Sequence, residues 1–127
     1  MPKKIAIVDD EPHIRLLLEQ TLEDFIDEGV DILTAANGRE GLELIEEEKP
    51  DLVFLDVMMP EMNGYDVCTK VKSNEALKHI YIVMLTAKGQ EIDKAKGSEV
   101  GANIYMTKPF EPDKIVEKAM EVLGIEI

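Results

Sequence analysis

The sequence predicts an α/β fold: an open parallel sheet of five strands with five helices on both of its faces. Short segments rich in branched apolar residues alternate five times with segments whose apolar residues recur at helical spacing. The links between these segments are short, which favours right-handed crossover connections between parallel strands. The chain has 127 residues, enough for one core, so we assign residues 1–127 to a single domain.

The first strand, residues 4–8, is apolar and branched, and a run of acidic residues separates it from Pro12. Proline suits the first turn of a helix, so a helix is predicted to begin there and to continue as far as Gly29. The apolar stripe that should pack this helix on the sheet consists of Ile14, Leu17, Leu18, Leu22 and Phe25. A second strand is predicted over residues 31–36.

The second helix and the third strand are marked by a capping pattern and an apolar run. Asn37 and Glu40 form the pattern of a capping box, in which Asn37 caps the helix and Glu40 reaches back to its start. This helix should extend to Pro50. Residues 52–55 are continuously apolar, which is typical of a strand covered on both faces, and Asp56 follows at the carboxyl end.

The segment after Asp56 leaves the sheet as a loop, because it contains Pro60 and the turn pair Asn63 and Gly64. The third helix follows, and its apolar side consists of Tyr65, Cys68 and Val71. Cys68 is therefore predicted to be a core residue and not a reactive thiol.

The rest of the chain repeats the alternation of strand and helix. A fourth strand is predicted over residues 80–85, a weak fourth helix over residues 90–100 and a fifth strand over residues 103–106. The last helix opens at Pro112 and stops at Gly124.

Composition excludes several classes of function. A formal net charge of −13 argues against direct binding of nucleic acid, which requires Lys and Arg to displace counterions. No apolar segment approaches the roughly 20 residues that cross a bilayer, and the first residues lack the pattern of a signal peptide. We therefore expect a soluble, cytoplasmic protein with no membrane partner. The sequence leaves open whether the chain is a whole regulator or part of a longer protein.

Polar residues follow or end four of the predicted strands: Asp9, Asp10, Asp56, Thr86 and Lys108. Ligands of open parallel sheets bind outside the carboxyl ends of the strands, so these side chains should meet in one crevice. Two carboxylates about 4 Å apart repel by on the order of 4 kcal/mol at an effective dielectric of about 20, so the cluster needs positive charge. Lys108 supplies part of that charge. Oxygen ligands without His or Cys suit Mg²⁺, for which Mn²⁺ can substitute.

This set of groups fits phosphoryl transfer to Asp56. A divalent cation and the ammonium of Lys108 would neutralise the phosphoryl oxygens while the carboxylate attacks as a weak nucleophile. The residue two positions after Asp56 is Met58, which cannot activate a water for hydrolysis, so the acyl phosphate is expected to persist.

Four segments resemble the receiver domain of two-component response regulators, including the chemotaxis regulators. The segments are Asp9-Asp10, residues 55–64 (LDVMMPEMNG), Thr86-Ala87 and residues 101–110 (GANIYMTKPF). The resemblance covers essentially the whole chain, and the four segments in this order and spacing are highly specific. It implies a flavodoxin-like receiver fold with the strand order 2-1-3-4-5.

The resemblance also implies a role for each site residue. Asp56 would accept a phosphoryl group from a phosphohistidine of a sensor histidine kinase or a histidine phosphotransfer protein. Lys108 would pair with the phosphoryl oxygens. The implied Mg²⁺ ligands are Asp9 (mostly through water), Asp10, Asp56 and the backbone carbonyl of Met58.

A switch between two states is implied as well. Thr86 would move to hydrogen-bond the phosphoryl group, and Tyr105 would turn inward into the vacated space. This change would alter the surface of the fourth helix, the fifth strand and the last helix, which would bind a downstream protein target or a fused effector domain. The bond between Lys108 and Pro109 is expected to be cis and to aim the lysine into the pocket.

Two other functions remain open. Mg²⁺-dependent phosphohydrolases with an aspartyl nucleophile use a similar set, but they carry a second acid where this chain has Met58. We therefore expect a phosphoacceptor signalling domain and not an enzyme, although it would promote its own phosphorylation and dephosphorylation. A flavin-binding module has a compatible architecture, but the acidic residues after the first strand would repel a flavin phosphate.

Overall fold

The five predicted strands form one parallel sheet in the order β2-β1-β3-β4-β5, which is the order that the resemblance implies. The computed structural model describes residues 2–87 and 101–127, so the helix predicted over residues 90–100 lies outside the described residues. The strands are β1 (Lys4–Val8), β2 (Asp31–Ala35), β3 (Leu52–Asp56), β4 (Tyr81–Ala87) and β5 (Ile104–Lys108). The predicted fold class is confirmed.

The helices of the described ranges follow the predicted alternation with the strands. They are α1 (Pro12–Thr21), a short 3₁₀ helix (Glu23–Glu28), α2 (Gly38–Glu48), α3 (Gly64–Lys72) and the C-terminal helix (Pro112–Leu123). Gly124 ends the C-terminal helix in a left-handed conformation with φ of 68°, as predicted. None of these helices has both the length and the apolar character needed to cross a bilayer.

Helix α1 differs from the prediction in two ways. It ends at Thr21, and the chain reaches Gly29 through the 3₁₀ helix, whose tighter turn keeps Phe25 in the core. The predicted stripe is also too wide, since Leu17 is 44% exposed whereas Leu18 is fully buried. Neighbouring residues of a helix are separated by about 100° around its axis. Leu18 lies in the middle of the buried face, so Leu17 lies at the edge of that face.

Alternate residues of each inner strand face two separate cores. In β1, Ala6 and Val8 belong to the core beneath α2 and α3, whereas Ile5 and Ile7 belong to the core beneath α1 and the C-terminal helix. Since both faces of the sheet are covered, the inner strands are apolar along most of their length. Cys68 of α3 is fully buried in the first core, as predicted, and burial raises the pKa of its thiol to about 11.

The predicted cap of α2 is present with one change. The side chain of Asn37 accepts a hydrogen bond from the backbone N–H of Glu40 at 2.9 Å. The carboxylate of Glu40 reaches back, but it accepts from the N–H of Ala36 at 3.2 Å and not from that of Asn37. The two hydrogen bonds of this capping box therefore also connect the end of β2 to the start of α2.

Replacing Asn37 by alanine should lower the free energy of unfolding by about 1 kcal/mol, because an N–H of the first turn loses its acceptor. Asn37→Ser keeps a capping oxygen and should stay within a few tenths of a kcal/mol of the wild type. Urea unfolding followed by circular dichroism measures both variants. Equal midpoints for the alanine variant and the wild type would show that the cap contributes nothing.

Candidate functional site

The carboxyl ends of the strands bring most of the predicted site residues together. Asp9 directly follows β1, Asp56 is the last residue of β3, and Lys108 is the last residue of β5. Carboxylate oxygens of Asp9, Asp10 and Asp56 all lie within 4.8 Å of one another. The expected crevice therefore holds a cluster of carboxylates from two neighbouring strands.

Lys108 lies among these carboxylates. Its Nζ is 2.6 Å from Asp9 Oδ2, 3.2 Å from Asp56 Oδ1 and 3.5 Å from Glu11 Oε1. The side chain of Lys108 is only 10% exposed, so little water screens these contacts. Asp9 Oδ2 is buried, and its ion pair with Lys108 is the shortest of these three contacts. One ammonium faces several carboxylates, and the cluster stays negative.

Two residues that were not predicted to belong to the site, Glu11 and Arg15, support the loop between β1 and α1. The carboxylate of Asp9 accepts a hydrogen bond from the N–H of Glu11 at 2.9 Å, and its backbone carbonyl accepts one from Arg15 Nη1 at 2.7 Å. The sequence spacing could have predicted the contact of Arg15, because Arg15 lies one helical turn after Glu11 and hence beside Asp9 and Asp10. Nothing in the local pattern predicts the contact between Glu11 and Lys108, which are almost a hundred residues apart.

The electrostatics of the cluster favour the protonated form of Asp56. Burial raises the pKa of Asp56 to about 7 from 3.8; the charge of Asp9 adds to the increase, and the ammonium of Lys108 opposes it. Burial lowers the pKa of Lys108, but its ion pairs with Asp9 and Asp56 outweigh burial, and the net shift is upward. Lys108 therefore remains charged. The pKa of Asp56 is raised to about 7, so additional positive charge beside it would lower this pKa and ionise the carboxyl group.

The residues present fit a divalent cation. The set contains oxygen donors, includes a buried carboxylate oxygen on Asp9 without a hydrogen bond within the described residues, and carries more negative charge than Lys108 offsets. Oxygens bound to one Mg²⁺ at about 2.1 Å stand at most about 4.2 Å apart, so a cluster within 4.8 Å needs only small side-chain movements. We conclude that the cluster could hold Mg²⁺ or Mn²⁺.

The loop after β3 is held close to Asp56 by Gly64. The N–H of Gly64 donates to the backbone carbonyl of Val57 at 2.8 Å, and a Cβ at this position would collide with the backbone carbonyl of Asp56. Met58 lies in this loop and is 61% exposed. The role of the Met58 carbonyl as a metal ligand stays a prediction.

Thr86 lies in β4 beside the site, and Tyr105 lies in the neighbouring strand β5. Asp56 in β3 pairs with Leu85 in β4, and Thr86 is the residue after Leu85. Thr86 is 3% exposed. Tyr105 is half-buried and packs against the core beneath α2 and α3. The peptide bond that precedes Pro109 is cis, as predicted. The switch roles of Thr86 and Tyr105 stay predictions.

Comparison with known sequences identifies the family. The model of the response regulator receiver domain matches residues 5–120. The alkaline phosphatase synthesis transcriptional regulatory protein PhoP of Bacillus subtilis (strain 168) is 45% identical over 123 residues, which are 97% of this chain and 49% of PhoP. The chain spans about half the length of the curated relatives it matches.

Solved structures give the same result. The chemotaxis protein CheY4 of Vibrio cholerae has a TM-score of 0.82 and 32% identity over 96% of this chain and 99% of that chain. The signal receiver domain of a signal transduction histidine kinase from Syntrophus aciditrophicus has a TM-score of 0.84 and 31% identity over 96% of this chain and 90% of that one. The chain therefore belongs to the family of response regulator receiver domains of two-component signalling systems.

Proposed function

We propose that Asp56 accepts a phosphoryl group from a phosphohistidine of a sensor histidine kinase or a histidine phosphotransfer protein, in a Mg²⁺-dependent step. The observation that supports this most directly is the buried Asp56 carboxylate, whose Oδ1 lies 3.2 Å from Lys108 Nζ inside a cluster of acids that fits a divalent cation. Because the Asp56 carboxylate is buried and lies beside the ammonium of Lys108, it can receive a phosphoryl group without exposing that group to bulk water.

The transfer exchanges one bond to phosphorus for another. A carboxylate oxygen of Asp56 forms a P–O bond, and the P–N bond to the donor imidazole breaks, its electron pair passing to the imidazole nitrogen. Lys108 would neutralise oxygens of the phosphoryl group while it moves. Bound Mg²⁺, held by Asp9, Asp10, Asp56 and the carbonyl of Met58, would supply further charge neutralisation.

The alternative, a Mg²⁺-dependent aspartyl-phosphate phosphohydrolase, has less support. Such enzymes place a second acid two residues after the nucleophile, and this chain has Met58 there, with an exposed apolar side chain. The matching family is one of signalling domains. We propose a phosphoacceptor that is not a turnover enzyme, although it promotes its own phosphorylation and dephosphorylation.

The output would be a change of binding surface. Thr86 and Tyr105 would couple the phosphoryl group to a binding face that includes β5 and the C-terminal helix. The predicted fourth helix, which the resemblance also assigns to that face, lies outside the described residues. The partner on that face would be a downstream protein or an effector domain fused to the receiver. Because the net charge is −13, we propose no direct contact of this domain with nucleic acid. A cytoplasmic location stays a prediction from the sequence.

Intact-mass spectrometry after incubation with acetyl phosphate tests the phosphoacceptor role. Wild-type protein with Mg²⁺ should gain the mass of a single phosphoryl group, and removal of the metal with EDTA should prevent the gain. Asp56→Asn should form no adduct. The matched control is Asp66→Asn, which changes an exposed acid of α3 and should be phosphorylated like the wild type.

An adduct that persists in Asp56→Asn would place the acceptor elsewhere and overturn the proposal. Continuous release of inorganic phosphate with rapid turnover would favour the phosphohydrolase alternative.

A further inference from the structure

Glu11 makes a third carboxylate contact with Lys108 that the proposed chemistry does not use. It occupies the N-cap position of α1, yet its side chain makes no capping hydrogen bond. Its Oε1 instead lies 3.5 Å from Lys108 Nζ, and its Oε2 lies 3.4 Å from His13 Nε2. Short N-cap side chains such as Ser, Thr, Asp and Asn usually accept a hydrogen bond from the first helical turn, whereas this longer side chain reaches Lys108 at the site.

The backbone holds Glu11 at this position. Its N–H donates to Asp9 Oδ1 at 2.9 Å, and its carbonyl accepts hydrogen bonds from the N–H groups of Ile14 and Arg15, both at 3.1 Å. The start of the side chain is therefore fixed relative to the acid cluster, which keeps the carboxylate within reach of Lys108.

Glu11 lies on the solvent side of Lys108. Its side chain is 47% exposed, whereas the side chains of Asp9 and Asp56 are 0% and 7% exposed. A phosphodonor approaching Asp56 therefore meets a negative charge at the rim, and the nearest ammonium is already shared with that charge. A charge at the mouth of a cleft changes the local concentration of charged ligands and hence their rate of reaction.

We propose that Glu11 is a specificity-determining residue that screens Asp56 against small dianionic phosphodonors. This inference rests on the proposed function. A small dianion such as acetyl phosphate has only its own charge to bring it into the site, so it bears the full repulsion. A donor with less negative charge is repelled less, and a phosphohistidine carried by a protein has additional surface contacts that offset the repulsion.

Two small donors of different charge separate this effect from a general change of reactivity. With acetyl phosphate, a carboxylate oxygen of Asp56 forms the new P–O bond, and the bond from phosphorus to the acetyl oxygen breaks, with acetate leaving with the electron pair. With phosphoramidate, the P–N bond breaks and ammonia leaves. Near neutral pH acetyl phosphate is largely a dianion, and phosphoramidate carries about one negative charge less.

The experiment measures the rate of adduct formation by intact mass for wild type, Glu11→Gln and Glu19→Gln at one fixed pH and saturating Mg²⁺. Glu19 is an exposed residue of α1, and its substitution changes the net charge equally. Glu11→Gln should react with acetyl phosphate about three- to tenfold faster than the other two proteins, and with phosphoramidate less than about twofold faster. In about 0.5 M salt, where the Debye length is about 4 Å, the difference should largely vanish.

Glu11→Asp keeps the charge and should react at a rate close to that of the wild type. If the wild type forms the adduct but Glu11→Gln and Glu19→Gln react alike, the inference fails and the proposed function stands. Equal acceleration with both donors would assign the effect to freeing of Lys108 and would also overturn the inference. If the wild type forms no adduct with either donor, the proposed function and the inference fail together.

Discussion

Replacing Asp56 by asparagine should stabilise the metal-free protein at pH 8 by on the order of 4 kcal/mol. The folded-state pKa of Asp56 is raised from 3.8 to about 7, so the folded protein holds this proton more tightly than the unfolded chain does. The resulting stabilisation is complete below pH 3.8 and is lost as the pH rises through about 7. One pKa unit corresponds to about 1.4 kcal/mol, and an asparagine has no charge to bury at any pH.

Urea unfolding in EDTA, for wild type and Asp56→Asn at several pH values from about 4 to 8, measures this effect. Stability of the wild type should fall relative to that of the variant across this range, so that the difference between the two proteins is largest at the alkaline end. Glu19→Gln removes an exposed charge and should follow the wild type. Parallel curves for wild type and Asp56→Asn would mean that burial does not raise the pKa of Asp56.

Replacing Lys108 by methionine should slow phosphorylation of Asp56 by about 100-fold, because the ammonium beside Asp56 Oδ1 no longer neutralises the phosphoryl oxygens. The same change should strengthen Mg²⁺ binding by about tenfold, because a positive charge 2.6 Å from Asp9 no longer repels the cation. The two effects have opposite signs. They therefore distinguish loss of charge neutralisation from a collapse of the site.

The rate is measured by intact mass with acetyl phosphate at saturating Mg²⁺, and the affinity by isothermal titration calorimetry. Lys114→Met removes an exposed lysine of the C-terminal helix and serves as the control with an equal change of net charge. If both the rate and the Mg²⁺ affinity of Lys108→Met fall, the lysine is holding the carboxylates in place and its proposed role in transfer is wrong.

The order of helices and strands along the chain could be predicted from the sequence, because the patterns that mark each helix and strand are local. The apolar run of β3, the proline at the start of α1 and the cap at Asn37 each depend on a few neighbouring residues. Strand order is not a local property, and here it came from the resemblance. The end of α1 at Thr21 was missed because Leu22 and Phe25 continue the helical spacing, while only packing shows where the chain turns.

Within the site, the sequence by itself placed Asp9, Asp10, Asp56 and Lys108 at strand ends, and parallel topology requires such ends to share one edge of a sheet. Only the tertiary structure decided how these groups meet. It gives Lys108 its contact with Glu11, buries Asp9 completely and raises the pKa of Asp56. These properties depend on burial and on charges that lie far apart along the chain, which determine the electrostatic energy but leave no local pattern in the sequence.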